Sequence, residues 1–342
     1  MPEPVIALDA MGGDNAPAEI VKGAVEAAQD LGVRVALVGR EEAIAGELRC
    51  NGPLPVGVSV VPAAEVIEME EHPAQAARHK KESSIAVGLK LVKRGEAQAF
   101  VSAGNTGAIM AASIMYLGRI RGIDRPSLAG LLPLGGRLTV LLDVGANADA
   151  KPGYLLQWAQ MAAAYKQRIW KVPNPSVALL NIGEEAEKGS ALAQEAYALL
   201  KKSGLNFAGN VEGRDVPFGK HDVIVTDGFT GNVVVKVMEG TADYLMGEIR
   251  GAIRSRPWYM AAGAALLPAF ERLRKKVDYR EYGAGPLLGV NGLVFVGHGR
   301  SDARAIASAL RVAREAAQSG MLEAIRDVPQ RAQAEAGAGG TG

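Results

Sequence analysis

The chain reads as a succession of short apolar runs, each closed by a Gly-rich or polar turn and then followed by a stretch with helical spacing. The runs cover 5–9, 33–38, 56–61, 97–102, 128–132, 138–143, 177–181, 223–227 and 293–296. Within a run the apolar positions follow one another instead of alternating, as expected of strands covered on both faces. Helical spacing marks 18–31, 74–93, 106–117, 154–165, 185–202, 233–254 and 303–318. The two patterns together predict an α/β fold, a doubly wound, mostly parallel sheet. No linker divides residues 1–329, so one α/β domain is expected; the Gly/Ala-rich stretch 330–342 is expected to be a flexible tail.

One segment breaks the rhythm. Residues 258–270 (WYMAAGAALLPAF) carry no charge, while Arg254, Arg256, Arg272, Arg274, Lys275 and Lys276 flank them. The stretch is too short to span a bilayer. Pro268 is expected to kink or end a helix there, which predicts a protruding helix–turn–helix over 254–280. Trp258, Leu266, Leu267 and Phe270 with basic flanks suit a shallow interfacial element on anionic lipid. A buried dimer helix fits the same residues.

Composition narrows the class. With 48% hydrophobic and 22% charged residues over 342 positions, the chain is globular. Lys+Arg is 38 against 37 for Asp+Glu, and aromatics are 5%, so neither a basic excess nor a stacking surface argues for nucleic acid. The lone Cys50 excludes a disulfide framework and a multi-cysteine zinc site, and fits a reducing compartment. The first residues show no basic and apolar leader, so a cytoplasmic location is expected.

Candidate chemistry gathers at the predicted strand ends, where open α/β sheets bind ligands. Asp9 is followed by Met11-Gly12-Gly13-Asp14-Asn15, and Ser102 by Ala103-Gly104-Asn105-Thr106-Gly107. Asp143 leads into Val144-Gly145-Ala146-Asn147, Asn181 into Ile182-Gly183-Glu184-Glu185, and Asp227 into Gly228-Phe229-Thr230-Gly231-Asn232. The last strand gives Gly297-His298-Gly299-Arg300-Ser301-Asp302. Glycine lets the backbone approach a ligand, and helix N-termini attract anions. Turns of this kind meeting at one sheet edge would cradle a phosphate-like group; each could equally be a simple helix cap. Lys188, on a predicted helix past Asn181, can point back at such an anion. Asn232, placed at the start of a predicted helix, can donate to a carbonyl oxygen that gains negative charge; an N-cap role is the alternative. His298 sits on a Gly-flanked turn and fits a chemical or a structural role equally.

Several motifs are missing. No G-x-G-x-x-G follows a strand, no phosphate-loop signature G-x-x-x-x-G-K-[ST] occurs, and Ser102 has no G-x-S-x-G context. His72, His79, His221 and His298 show no metal spacing, and no metal or cofactor is expected.

Read together, Ala7–Asp14 with Pro17, Ser102–Ala108, Leu141–Asn147, Asn181–Gly189, Asn210–Asp215, Asp227–Asn232, Pro286–Asn291 and His298-Gly299 with Ser301-Asp302 resemble the PlsX family, the bacterial phosphate acyltransferases of phospholipid synthesis. Gly283-Ala284-Gly285-Pro286 departs from the family's Gly-Gly-Ala-Pro. The resemblance implies transfer of a fatty acyl group from acyl carrier protein to inorganic phosphate, giving acyl phosphate and free carrier protein. It also implies a fold like phosphotransacetylases and isopropylmalate dehydrogenase, a homodimer, peripheral membrane association, and delivery of acyl phosphate to a glycerol-3-phosphate acyltransferase. Phosphate itself can attack the thioester, so no enzyme nucleophile is needed. On this reading Lys188 neutralises phosphate and Asn232 meets the oxyanion. Gly12, Gly13, Ser102, Gly104, Asn105, Thr106, Gly107 and Asn147 form the cradle. Asp9, Asp14, Asp143 and Asp227 orient donors behind it, and His298 is a possible acid. A metal- and NAD-dependent dehydrogenase, a coenzyme A phosphotransacetylase and a membrane scaffold are the rival readings.

Overall fold

Runs of Val, Ile, Leu and Ala form the strands, and helices with one apolar face pack on both sides of them. A computed structural model describes residues 3–50, 54–277 and 279–329. Its first elements are β1 (Val5–Asp9), α1 (Ala18–Leu31), β2 (Arg34–Gly39), α2 (Glu41–Cys50), β3 (Val58–Pro62), α3 (Pro73–His79), α4 (Ser84–Lys93), β4 (Ala99–Ser102) and α5 (Thr106–Tyr116). There follow β5 (Ser127–Leu134), β6 (Arg137–Leu142), α6 (Pro152–Trp170), β7 (Val177–Asn181), α7 (Ala191–Lys201), β8 (Phe207–Glu212) and β9 (Val223–Val225). The chain continues through α8 (Gly228–Arg254), α9 (Pro257–Val277), β10 (Ala284–Leu288), β11 (Leu293–Gly297), α10 (Ala303–Ser319) and α11 (Met321–Arg326). The expected tail, 330–342, lies outside the described residues.

The strands form one mostly parallel sheet in the order β3-β2-β1-β4-β11-β10-β5-β6-β9-β7-β8. β3, β2, β1, β4 and β11 run parallel as one block. β6, β9, β7 and β8 make a second parallel block. Between them β10 is antiparallel to both β11 and β5, and β5 is antiparallel to β6. That leaves the two blocks pointing in opposite directions. The carboxyl ends of β1, β4 and β11 share one rim; those of β6, β7 and β9 lie at the opposite rim. The expectation that all these turns meet at a single sheet edge is therefore corrected: reversal at β10 and β5 divides them.

The core lies on both faces. On one face Ile6, Leu8, Trp158 and Leu310 are fully buried; on the other, Phe100, Ile85 and Ile109 are. Each such side chain removed from water contributes about 1.5–3 kcal/mol. Gly88 shows how closely α4 approaches β4, because a Cβ there would lie 2.3 Å from the Phe100 ring.

Four helix boundaries differ from the pattern. The stretch 74–93 breaks into α3 and α4, since Ser83 restarts the helix by accepting from Ala86 N at 3.3 Å. Likewise Ser190 caps α7, accepting from Ala193 N at 3.3 Å, so Lys188 stands on a loop and not on a helix. α8 begins at Gly228, capped by Asp227, which puts Asn232 beyond the first turn instead of at the helix start. Finally, α9 runs through Pro268, and the hairpin turns earlier, at Ser255-Arg256. The proline removes one amide donor from an exposed helix without ending it.

Candidate active site

At the first rim a buried carboxylate fixes two turns. Asp9 accepts from Ser102 Oγ at 2.6 Å and from Met11 N at 3.0 Å, and Ser102 Oγ in turn accepts from Gly104 N at 3.1 Å. Burial pushes the Asp9 carboxyl up, and these hydrogen bonds pull it back. Gly12 must be glycine here, because a Cβ would lie 2.5 Å from Asp9 Oδ2 and 2.8 Å from Gly104 N. Asp14 is exposed, and its N–H donates to Gly299 O at 2.8 Å, which ties the β1 turn, with Gly13, to the β11 turn. Asn105 is used structurally. It caps α5 by accepting from Ala108 N at 3.1 Å, and it donates to Met69 O at 3.0 Å and Glu71 O at 3.1 Å. α5 opens at Thr106 and Gly107, and its first N–H groups face this rim.

At the second rim Asp143 has the corresponding part. Its Oδ1 accepts from the N–H groups of Leu128, Gly145 and Ala146, and its Oδ2 from Asn147 N at 2.7 Å and Asn147 Nδ2 at 2.8 Å. Burial again raises the carboxyl against these donors. Asn147 Nδ2 also donates to Pro126 O at 2.8 Å, so this side chain turns inward. Asp227 accepts from Thr230 N at 2.8 Å and Thr230 Oγ1 at 2.7 Å. Asn232 Nδ2 donates to Val144 O at 3.0 Å, which leaves its second amide hydrogen for another acceptor.

α8 then crosses the sheet from the second rim towards the first. Asn232, Val235, Lys236 and Glu239, at helical spacing, line one wall of a cleft of about 350 Å³. Gly104, Thr106, His298 and Gly299 line the other wall, and β5 and β10 form its floor. At the far end Glu239 Oε2 lies 3.6 Å from His298 Nε2. His298 Nδ1 accepts from Arg300 N at 3.3 Å, which makes Nε2 the proton-bearing nitrogen facing Glu239. That contact holds the Glu239 carboxyl below the ordinary carboxylate value.

The cleft brings together Gly104, Thr106, Asn232 and His298. It does not include Lys188, which is exposed on the loop after β7 and whose carbonyl accepts from Asn181 Nδ2 at 3.0 Å. That loop borders a second cavity of about 580 Å³, lined by Asn181, Ile182, Ser190, Asp227 and Thr230 with apolar residues such as Leu179. The first turns of α8 separate the two spaces, with Thr230 on one side and Asn232 on the other. Lys236 and Glu239 were missed in the sequence; their offsets of four and seven from Asn232 are the signal that points to them. No cluster of three or more His, Cys, Asp or Glu that could hold a metal occurs among the described residues. The cleft offers neutral donors, a helix N-terminus, an ammonium and an imidazole, together with one carboxylate, Glu239, that faces the imidazole; the donors suit an oxyanion.

A family model described as "Fatty acid synthesis protein" matches residues 5–324. The phosphate acyltransferase of Desulfitobacterium hafniense (strain DSM 10664 / DCB-2) is 52% identical over 324 residues, 94% of this chain and 96% of that protein. That of Heliobacterium modesticaldum is 51% identical over 325 residues, again 94% and 96%. Among solved structures, a phosphotransacetylase from Streptococcus pyogenes superposes with TM-score 0.62 at 17% identity, covering 93% of this chain and 95% of that one. The EutD phosphotransacetylase from Staphylococcus aureus gives 0.60 at 16% identity, covering 92% and 94%. At such identities these two establish the fold.

Proposed function

This chain belongs to the family of fatty acid synthesis proteins whose relatives are phosphate acyltransferases, and on that premise we propose that it moves a fatty acyl group from acyl carrier protein to inorganic phosphate. The enzyme class, an acyltransferase, follows from the family; the carrier and the mechanism are our reading. The observation that carries it is the cleft in which the α5 N-terminus, Asn232 and His298 face one another.

A phosphate oxygen attacks the thioester carbonyl, the C–S bond breaks, and the carrier leaves as its thiol. Phosphate sits at the amides of Gly104–Gly107 with Lys236 as counter-charge. The free hydrogen of the Asn232 amide meets the tetrahedral oxyanion, and the proton that hydrogen phosphate gives up passes to the leaving sulfur by way of the His298 imidazole. Asp9, Asp143 and Asp227 hold the turns and are turned away from the anion, as repulsion requires. Lys188 neutralises phosphate in this scheme only if the 182–190 loop swings over the first turns of α8.

The exposed Trp258, Leu266 and Leu267 on the α8–α9 hairpin support shallow contact with an anionic membrane, and Arg256 stacks 5.3 Å above the Trp258 ring. No helix among the described residues is long and apolar enough to cross a membrane. We further propose a homodimer, with acyl phosphate passed to a glycerol-3-phosphate acyltransferase.

The test is incubation of acyl-carrier protein with phosphate, following free thiol and acyl phosphate together. Equal, phosphate-dependent appearance of both is expected; thiol release without acyl phosphate overturns the reading. Lys236→Ala and Lys188→Ala then locate the phosphate. Loss confined to Lys188→Ala would move it to the β7 rim.

A further inference from the structure

A third cavity, of about 540 Å³, lies at the rim where β11 begins, whereas the cleft lies where β11 ends. Its walls include Arg119, Arg121, Arg326 and Asn291, and no carboxylate lines it among the described residues. Residues 118–120 lie against 289–291, because Ile120 N donates to Gly289 O at 3.0 Å, Asn291 N donates to Gly118 O at 2.9 Å, and Arg119 bridges to Val290; the chain then turns at Arg121-Gly122, where Ile123 N donates to Ile120 O at 3.0 Å. Ile120 enters the core, and Arg119 and Arg121 share the opposite side.

Arg326 reaches the same space from α11 with its plane already set. Its Nε and Nη2 donate to Asn291 Oδ1 at 2.9 and 2.7 Å. Its Nη1 lies 3.8 Å from the exposed Glu323, a contact that water screens. Arg119 spends one N–H on Asp124 O. Arg121 has no hydrogen-bond or ion-pair partner among the described residues. Asn291 belongs to the Pro286–Asn291 motif, which the cleft does not use. Several guanidinium groups around one hollow, one of them aligned by an amide and one unpaired, is the arrangement that receives a phosphoryl group through forked hydrogen bonds.

We propose that this cavity is a binding site for the phosphoryl group of a soluble phosphorylated small molecule, separate from the cleft. A lipid phosphate has the same chemistry. The soluble source is favoured because the cavity opens at the rim away from the cleft end of β11, where α8 and its hairpin extend past His298.

Pyrophosphate is the probe, titrated calorimetrically into the full chain at physiological salt. Arg121→Glu is expected to lose this binding at least tenfold, and Arg121→Lys, which keeps the charge without the fork, to weaken it less. Lys236→Ala, which removes the counter-charge given to phosphate in the cleft, is expected to retain it, which keeps the result independent of the cleft reading. Thermal unfolding of Arg121→Glu without ligand should match the wild type, since the side chain is exposed. Equal affinity in wild type and Arg121→Glu, or millimolar binding abolished by salt in both, would mean an adventitious ion only and overturn the proposal. So would binding to phosphatidate vesicles, but not to pyrophosphate, that depends on Arg121.

Discussion

Replacing Asn232 separates its structural tie from its chemical role. Its Nδ2 makes one hydrogen bond, to Val144 O at 3.0 Å. In Asn232→Ala that bond is lost, at a net cost of about 0.5–1.5 kcal/mol in stability, and the half-buried Val144 carbonyl can still reach water. The same change removes the one side-chain amide offered to the oxyanion. A preorganised donor of that kind is worth about 2.7–4 kcal/mol, or 10²–10³ in kcat. The two magnitudes differ enough to be told apart. Asn232→Asp keeps the shape but places a carboxylate against the Val144 carbonyl, so it should lose more stability than alanine and at least as much turnover. The assay is paired release of thiol and acyl phosphate, measured well below the unfolding midpoint of each variant. If folded Asn232→Ala turns over within a few-fold of wild type, or its loss merely tracks its thermal shift, the oxyanion role is wrong.

Gly231→Ala should fold poorly, because its Cβ would lie 1.8 Å from Asp143 O; a cost above about 3 kcal/mol, of the kind produced by overpacking, is expected in chemical denaturation. Glu239 is held below its ordinary value of 4.5 by His298, so it contributes stability that is present above that pH and lost as pH falls through the folded value. Glu239→Gln should flatten acid unfolding in that window, and an unchanged curve would deny the tie across the cleft. Lys166→Met strips the buried Leu138 carbonyl of its donor and Asp222 of a cation 3.7 Å away; about 1–3 kcal/mol should be lost, read from the denaturant midpoint. Leu266→Glu with Leu267→Glu should abolish flotation on anionic vesicles while leaving turnover on soluble substrate intact.

Apart from the edge strand β8, the strands of the two parallel blocks were legible as continuous apolar runs, most of them buried on both faces. β1 and β7 coincide with their apolar runs, and α1 with its periodic stretch. What escaped was the device that opposes the blocks. β10 reads AGPLL, with a glycine and a proline in five residues, and carries little strand signal. It nevertheless adds two antiparallel pairings to that of β5 with β6, and the three together oppose the blocks, so the rim on which each turn lies could not be read from local pattern. β8, FAGNVE, escaped for a related reason: as an edge strand it is polar and only partly covered. The strand-end residues themselves were legible, because Asp9, Asp143 and Asp227 each end or follow an apolar run. Their contacts were not. Asn105 and Asn147 look like ligand donors in one dimension and become backbone latches in three, because their partners at 69–71 and 126 come from distant loops. Lys236 and Glu239 were hidden inside a helix whose inward face is set by tertiary packing.

At 27 residues α8 is about 40 Å of rigid rod. Its root is pinned by the close fit of Gly228 and Gly231 against the 143–147 turn, its middle forms the wall beside His298, and its far half is exposed and pairs with α9. Such a rod acts as a lever: a small tilt at the distal tip, pivoting on those glycines, changes the gap between Glu239 and His298. Whatever grips the tip would thereby set how open the reaction chamber stands.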